Sequence, residues 1–165
     1  MFHEVNLLQL DCNPFQMIGK SWALVTAGDE TACNTMTVSW GGMGVLWGKN
    51  VVTAYIRPQR YTREFLDRFD KFTVSFYDES ERDALKLCGS KSGRDLDKIA
   101  AAGLTPVHEN GVTYFAEANL VLECKKVYLD KIRPEGFLDP SIQQNYPGAD
   151  YHLVYVGEIT RVLKK

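Results

Sequence analysis

VVTAYIRPQRYTREFLDRFDKFTVSFY, residues Val51 to Tyr77, is the stretch that decides the fold. Val51 to Arg57 is rich in β-formers and stops at Pro58, a residue that cannot donate to a strand ladder and turns the chain. Thr62 to Phe69 then places Phe65, Leu66 and Phe69 on one helical face. Phe72 to Tyr77 is β-rich again. The helix is a short insert between strands. A repeated strand–crossover–strand rhythm is missing, which argues against a doubly wound parallel sheet.

Further runs extend the same pattern. Trp22 to Ala27 (WALVTA) ends at the turn signal Gly28-Asp29, and Thr35 to Trp40 (TMTVSW) alternates before Gly41-Gly42. Thr113 opens TYFAEANLVLECKKVYL, read as two strands or one bent strand. Tyr151 to Leu163 closes the chain, with Gly157 as a bulge or close-approach point. Ser80 is set to cap a helix over Glu81 to Cys88. Ser92 and Asp95 have capping-box spacing before Leu96, Ile99 and Ala100, and Gly103 offers a stop. Gly41 to Asn50 and Arg133 to Asp150 read as loops, the second long enough to wrap a site or a partner. These elements make a mainly β protein: an antiparallel barrel, closed or nearly so, with short appended helices.

The 165 residues suit one domain spanning 1–165. The net charge of -2 carries no Lys/Arg stripe, so nucleic acid is not an expected partner. No apolar run spans a bilayer and the N-terminus lacks a signal peptide's parts, so the expected location is the cytoplasm, with no membrane partner. The four cysteines, Cys12, Cys33, Cys88 and Cys124, form no C-x-x-C pair, and reduced, buried thiols are expected. His3, His108 and His152 are scattered, so no metal site is expected.

Two segments can carry chemistry. In Arg57-Pro58-Gln59-Arg60-Tyr61-Thr62-Arg63 a strand ends and a hydroxyl residue opens a helix. Forked guanidinium donors and the free N–H groups of a helix start make a monophosphate cradle. The alternative is that Thr62 is a plain N-cap and the arginines are solvated. In Asn34-Thr35-Met36-Thr37-Val38-Ser39-Trp40, strand alternation gives Thr35, Thr37 and Ser39 one face. That face either meets solvent or binds the polar rim of a flat heterocycle. No G-x-G-x-x-G, Walker or G-x-S-x-G pattern appears. His152 heads the last strand, either as a partly exposed strand histidine or as a contact at a pocket edge.

These two runs, with Cys88-Gly89-Ser90-Lys91-Ser92-Gly93-Arg94-Asp95-Leu96-Asp97-Lys98 and Tyr151 to Ile159, resemble the flavin reductase-like family. The likeness covers about Asn13 to Val162. It implies an FMN-binding split barrel, working as a homodimer with FMN near the interface. Carried over, Arg57, Arg60, Tyr61 and Thr62 serve the phosphate, with Lys91 and Ser92 adding contacts. Thr35, Met36, Thr37, Ser39 and Trp40, beside Asn34, line the ring and ribityl chain. It also implies that FMN does the chemistry, with no catalytic side chain needed. NADH or NADPH would supply hydride, and a small molecule or redox protein would accept electrons. His152 and Trp47 are placed near the nicotinamide or acceptor by position. Two alternatives stand beside this: an FMN electron carrier without a pyridine-nucleotide site, and a non-redox barrel for an apolar ligand. The arginine cluster counts against the last.

Overall fold

The computed structural model describes residues 1–165. Ten strands follow in chain order: β1 (His3–Glu4), β2 (Ala23–Gly28), β3 (Cys33–Val38), β4 (Gly41–Leu46), β5 (Lys49–Ile56), β6 (Lys71–Phe76), β7 (Pro106–Glu109), β8 (Val112–Phe115), β9 (Leu120–Lys131) and β10 (Leu153–Lys164). Four short helices join them: α1 (Pro14–Gln16), α2 (Tyr61–Arg68), α3 (Arg82–Ser90) and α4 (Lys98–Ala101). The main sheet runs β3-β2-β6-β9-β10-β5-β4, with β1 laid along β10 and β7-β8 as a separate hairpin. Every pairing is antiparallel. The two ends of the order, β3 and β4, are consecutive in the chain and joined only through Ser39 and Trp40. They do not pair. The barrel is therefore split along one seam, and residues 39–40 cross it.

Both faces of the central strands are covered. Alternation sends Val25 and Ala27 of β2 inward, with Met36, Val38, Ile56, Phe72, Val74, Leu122 and Tyr155. Phe65 and Leu66 of α2 plug the same interior. Leu24 faces outward instead, under Leu85 and Cys88 of α3 and Phe115 of the hairpin. A strand buried on both sides reads as a continuous apolar run, which is why WALVTA shows little alternation. Each large side chain taken wholly from water, such as Phe72 or Leu66, contributes about 1.5–3 kcal/mol. At Gly157 a Cβ would stand 2.6 Å from the Phe72 ring, and the β9–β10 register slips at Val156/Gly157. Glycine there lets the strand bend around the core.

The expected strands are all present within a few residues of their bounds. Gly41 to Asn50 is not a loop. It contains β4, which pairs with β5 and turns at Trp47 and Gly48, both at positive φ (53° and 69°). That is a two-residue hairpin turn; the glycines on an exposed edge hid its alternation. Helix starts also differ. Arg60, not Thr62, stands at the N-cap of α2 and uses no side-chain bond. Ser80 caps nothing, and α3 begins at Arg82. α4 is capped by Asp97, whose carboxylate accepts from the Ala100 N–H at 3.1 Å, rather than by Ser92. Cys88 and Cys124 are buried thiols, whereas Cys12 is exposed and Cys33 half-buried.

Candidate functional site at the barrel seam

The seam opens into two chambers that share Ser39, Trp40, Tyr55 and His152. The smaller, of about 210 Å³, is lined by the end of β3 (Met36, Thr37, Val38) and by Arg57 and Arg60. The larger, of about 690 Å³, lies between Phe15 and Ile18 on one side and Met43, Ile132 and Tyr146 on the other. This size falls in the usual range for small-molecule sites, about 300–1,000 Å³. The crossing residues Ser39 and Trp40 bring the end of β3 against β5, whose Tyr55 lines the same chamber as Arg57, the residue that follows β5 directly.

The charged chamber is built from long-range contacts. Arg57 donates to Asp150 Oδ2 at 2.6 Å and to the Asn145 carbonyl at 2.9 Å, and its guanidinium sits 5.2 Å from the Tyr146 ring centre. Gln59 and Arg57 together hold the Asp150 carboxyl below the usual carboxylate range. Arg60 donates to the Gly89 carbonyl at 2.7 Å and the Cys88 carbonyl at 3.1 Å. Those are the last carbonyls of α3, where a cation meets the negative end of the helix. Lys98, almost wholly buried, donates to the carbonyls of Cys88 and Lys91 at 3.2 Å. Burial, and next the charge of Arg60, pull Lys98 down to about 8. No carboxylate is bonded to Arg60 or Lys98, so positive charge gathers behind the smaller chamber.

The larger chamber is uncharged. None of its thirteen lining residues is Asp, Glu, Lys or Arg. His152 stands at its edge with Nδ1 2.8 Å from the Tyr146 hydroxyl, and its ring is 5.2 Å from that of Trp40. Burial, then the charge of Arg57, lower His152 to about 4, while Asp150 opposes them. The imidazole is neutral at physiological pH.

The structure brings together Met36, Thr37, Ser39, Trp40, Arg57, Arg60 and His152. It does not bring the other sequence candidates to the cleft. The Thr35 hydroxyl is fully buried, 2.8 Å from that of Thr26. Asn34 donates to Thr62 Oγ1 at 2.7 Å, tying β3 to α2 beneath the surface. Tyr61 faces a separate groove, set edge-to-face on Phe65 and covered by Arg94. Lys91 and Ser92 lie on the connection after α3, outside both chambers. Trp47 is exposed at the β4–β5 turn, against Tyr128. The hydroxyl face of β3 thus neither meets solvent nor wholly lines the cleft: Thr35 is roofed over, and Thr37 donates to the Leu85 carbonyl of α3 at the cleft's edge. The sequence missed Tyr55, which its i, i+2 relation to Arg57 could have revealed. It also missed Tyr146, inside the long loop read as wrapping a site.

The fold and the site together are those of a split antiparallel barrel with a cationic pocket beside an uncharged one. The flavin reductase like domain matches residues 16–164, and the chain belongs to that family. A search of the curated proteins found no match. Among solved structures, an FMN-binding domain of a flavin reductases-like enzyme from Shewanella baltica aligns with TM-score 0.72 at 18% identity, over 99% of this chain and 77% of that one. Flavoredoxin of Desulfovibrio vulgaris aligns at 0.69 with 22% identity, over 99% and 77%. An NADH:FAD oxidoreductase from Streptomyces globisporus aligns at 0.64 with 19% identity, over 88% and 75%. No helix of the chain is long and apolar enough to cross a membrane.

Proposed function

We propose that this protein binds FMN in the seam and acts as an NAD(P)H-dependent flavin reductase. The observation that carries this reading is the pairing of two guanidiniums, Arg57 and Arg60, with an uncharged chamber walled by Trp40 and Tyr55. The donor set fits the cofactor. Each guanidinium has more N–H donors than the two it uses on protein oxygens, so both have donors left for a phosphate. Met36, Thr37 and Ser39 stand between that end and the apolar walls, where a polyol chain and a ring edge would lie. FMN when bound supplies hydride and electron transfer, and the protein supplies binding and orientation.

The chain's own residues then have definable tasks. Arg57 and Arg60 neutralise the phosphate. The Ser39 hydroxyl bonds the polar rim of the ring. Trp40 and Met43 keep water from the ring face, and neutral His152 offers a nitrogen at the junction of the two chambers without adding charge. Asn34, Thr35 and Thr62 support this wall from beneath. Tyr61, Lys91 and Ser92 reach the phosphate only if the segment after α3 closes over it. The exposed apolar edge of β4, where Val45 stands in solvent and Trp47 packs against half-exposed Tyr128, suits a second copy of the chain. We infer a homodimer on that basis and on the family likeness.

One observation favours the alternative of an FMN electron carrier without a pyridine-nucleotide site. The larger chamber has no cation for a dinucleotide's phosphates. Stopped-flow absorbance separates the two: bleaching of FMN-loaded protein by NADH or NADPH is expected. Inertness to both, with reduction by dithionite or a ferredoxin, sinks the reductase and leaves the carrier. Colourless protein that ignores added FMN sinks both.

A further inference from the structure

We propose that Tyr146 is a positioning residue that fixes the tautomer of His152, so that the free Nε2–H of the imidazole meets a carbonyl oxygen on an uncharged ring in the larger chamber. The proposal rests on the reading of the cleft as a redox site and names the class of second substrate it accepts.

The two side chains form a buried pair. Tyr146 is 4% and His152 6% exposed, and 2.8 Å separates the hydroxyl from Nδ1. Tyr146 makes no other side-chain hydrogen bond. Its ring is held in place by Phe137, stacked at 6.0 Å, by Tyr151 at 4.9 Å and by the Arg57 guanidinium at 5.2 Å. The proton's place follows from acid strength. A phenol, with a reference pKa of about 10, is a better donor than a neutral imidazole N–H, and an imidazole nitrogen is a better acceptor than a phenol oxygen. Tyr146 therefore donates to Nδ1. A neutral imidazole holds one proton, so it sits on Nε2.

The groups facing His152 keep it neutral. Tyr146 and Asp150 come from the loop, Tyr55 from β5, Arg57 from the residue after it, and Trp40 from the seam crossing. Burial and the Arg57 charge outweigh the opposing Asp150. Nε2 is bonded to no protein group and His152 lines both chambers. A fixed neutral donor at the edge of a chamber without formal charge suits a ring with a neutral oxygen acceptor, either an amide-bearing nicotinamide ring or a free carbonyl-bearing aromatic. A carboxylate-bearing ring would find no cation there.

Long-range proton–nitrogen NMR of histidine-labelled protein, with no nucleotide added, reads the tautomer directly. The expected wild-type spectrum shows His152 protonated on Nε2 alone and unchanged from pH 6 to 8. In Tyr146→Phe the ring packing remains, and both tautomers are expected. With FMN bound, the same variant should raise the KM for the hydride donor about fivefold, the worth of one hydrogen bond, with kcat and FMN affinity unchanged. Nδ1 protonation in the wild type overturns the proposal, and so does a single Nε2–H tautomer persisting in Tyr146→Phe. Because the tautomer is read without nucleotide, it is decided separately from whether FMN binds. Benzamide and benzoate sort the sources: inhibition by benzamide competitive with NADH places a nicotinamide ring in the chamber, binding of benzamide that leaves the KM for NADH unchanged places a free carbonyl aromatic there, and benzoate binding as well as benzamide overturns the neutral-ring assignment.

Discussion

The two ends of the cleft share Trp40, Tyr55 and His152 and yet obey different physics. At the narrow end, Arg57 and Arg60 are already bonded, to Asp150 and to the last carbonyls of α3. An incoming anion there competes with protein groups for donors, so affinity is set by exchange and answers to salt and to substitution of those groups. At the wide end no formal charge lines the wall, and what is left for binding is apolar contact and neutral polar groups such as Ser39, Tyr55 and His152. The contrast teaches that one seam can set a cationic pocket beside an uncharged one because the cations are placed by contacts reaching away from the larger chamber.

The largest expected break in this contrast is Arg60→Ala. It removes a guanidinium from the proposed phosphate cradle and leaves two helix carbonyls without their partner. FMN affinity should fall by about tenfold or more, the worth of a charge-assisted hydrogen bond of about 1.5–3 kcal/mol. Titration by flavin fluorescence reads this, and binding unchanged from the wild type would remove Arg60 from the cradle. The next test separates a ligand role for Arg57 from a clamp role. Arg57→Ala should weaken FMN about tenfold, whereas Asp150→Asn should tighten it a few-fold by freeing the guanidinium. If Asp150→Asn instead weakens FMN, the ion pair positions the site and does not compete for it.

The pH response sharpens the comparison from the neutral end. His152 has a folded value lowered to about 4 from 6.5. The unfolded chain takes up this proton below about 6.5 and the folded chain does not, so the contribution is fully present above that value and is lost as pH falls toward 4. Urea midpoints of the wild type should drop between pH 7 and 4.5 more than those of His152→Gln. Equal slopes would mean the imidazole is not held neutral by the fold. The smallest effect belongs to Thr62→Ala. It loses the Asn34–Thr62 bond and should cost about 1 kcal/mol of stability, with FMN affinity unchanged. A loss of FMN affinity equal to that of Arg57→Ala would return Thr62 to the phosphate site.

Particular residues show how far the site was legible. Arg57 and Arg60 stood out because a strand end, a proline and a helix start are local signals. Thr35 and Thr62 misled, because a hydroxyl on a strand or at a helix start looks the same whether it meets a ligand or another hydroxyl. Tyr146 was hidden because its loop has no period, and only its landing place on His152 gives it a role.

Local chemistry settled the element types apart from β4: β-rich runs broken by Gly and Pro, helices too short to cross a sheet, an arginine pair at a turn. These depend on neighbours a few residues apart, which the chain displays directly. Three-dimensional packing alone decided which donors are spare, which chamber is charged, and which hydroxyls are roofed over. Those follow from partners 29 residues away for Arg60 and 93 for Arg57, and separations of that kind leave no periodic trace in a sequence.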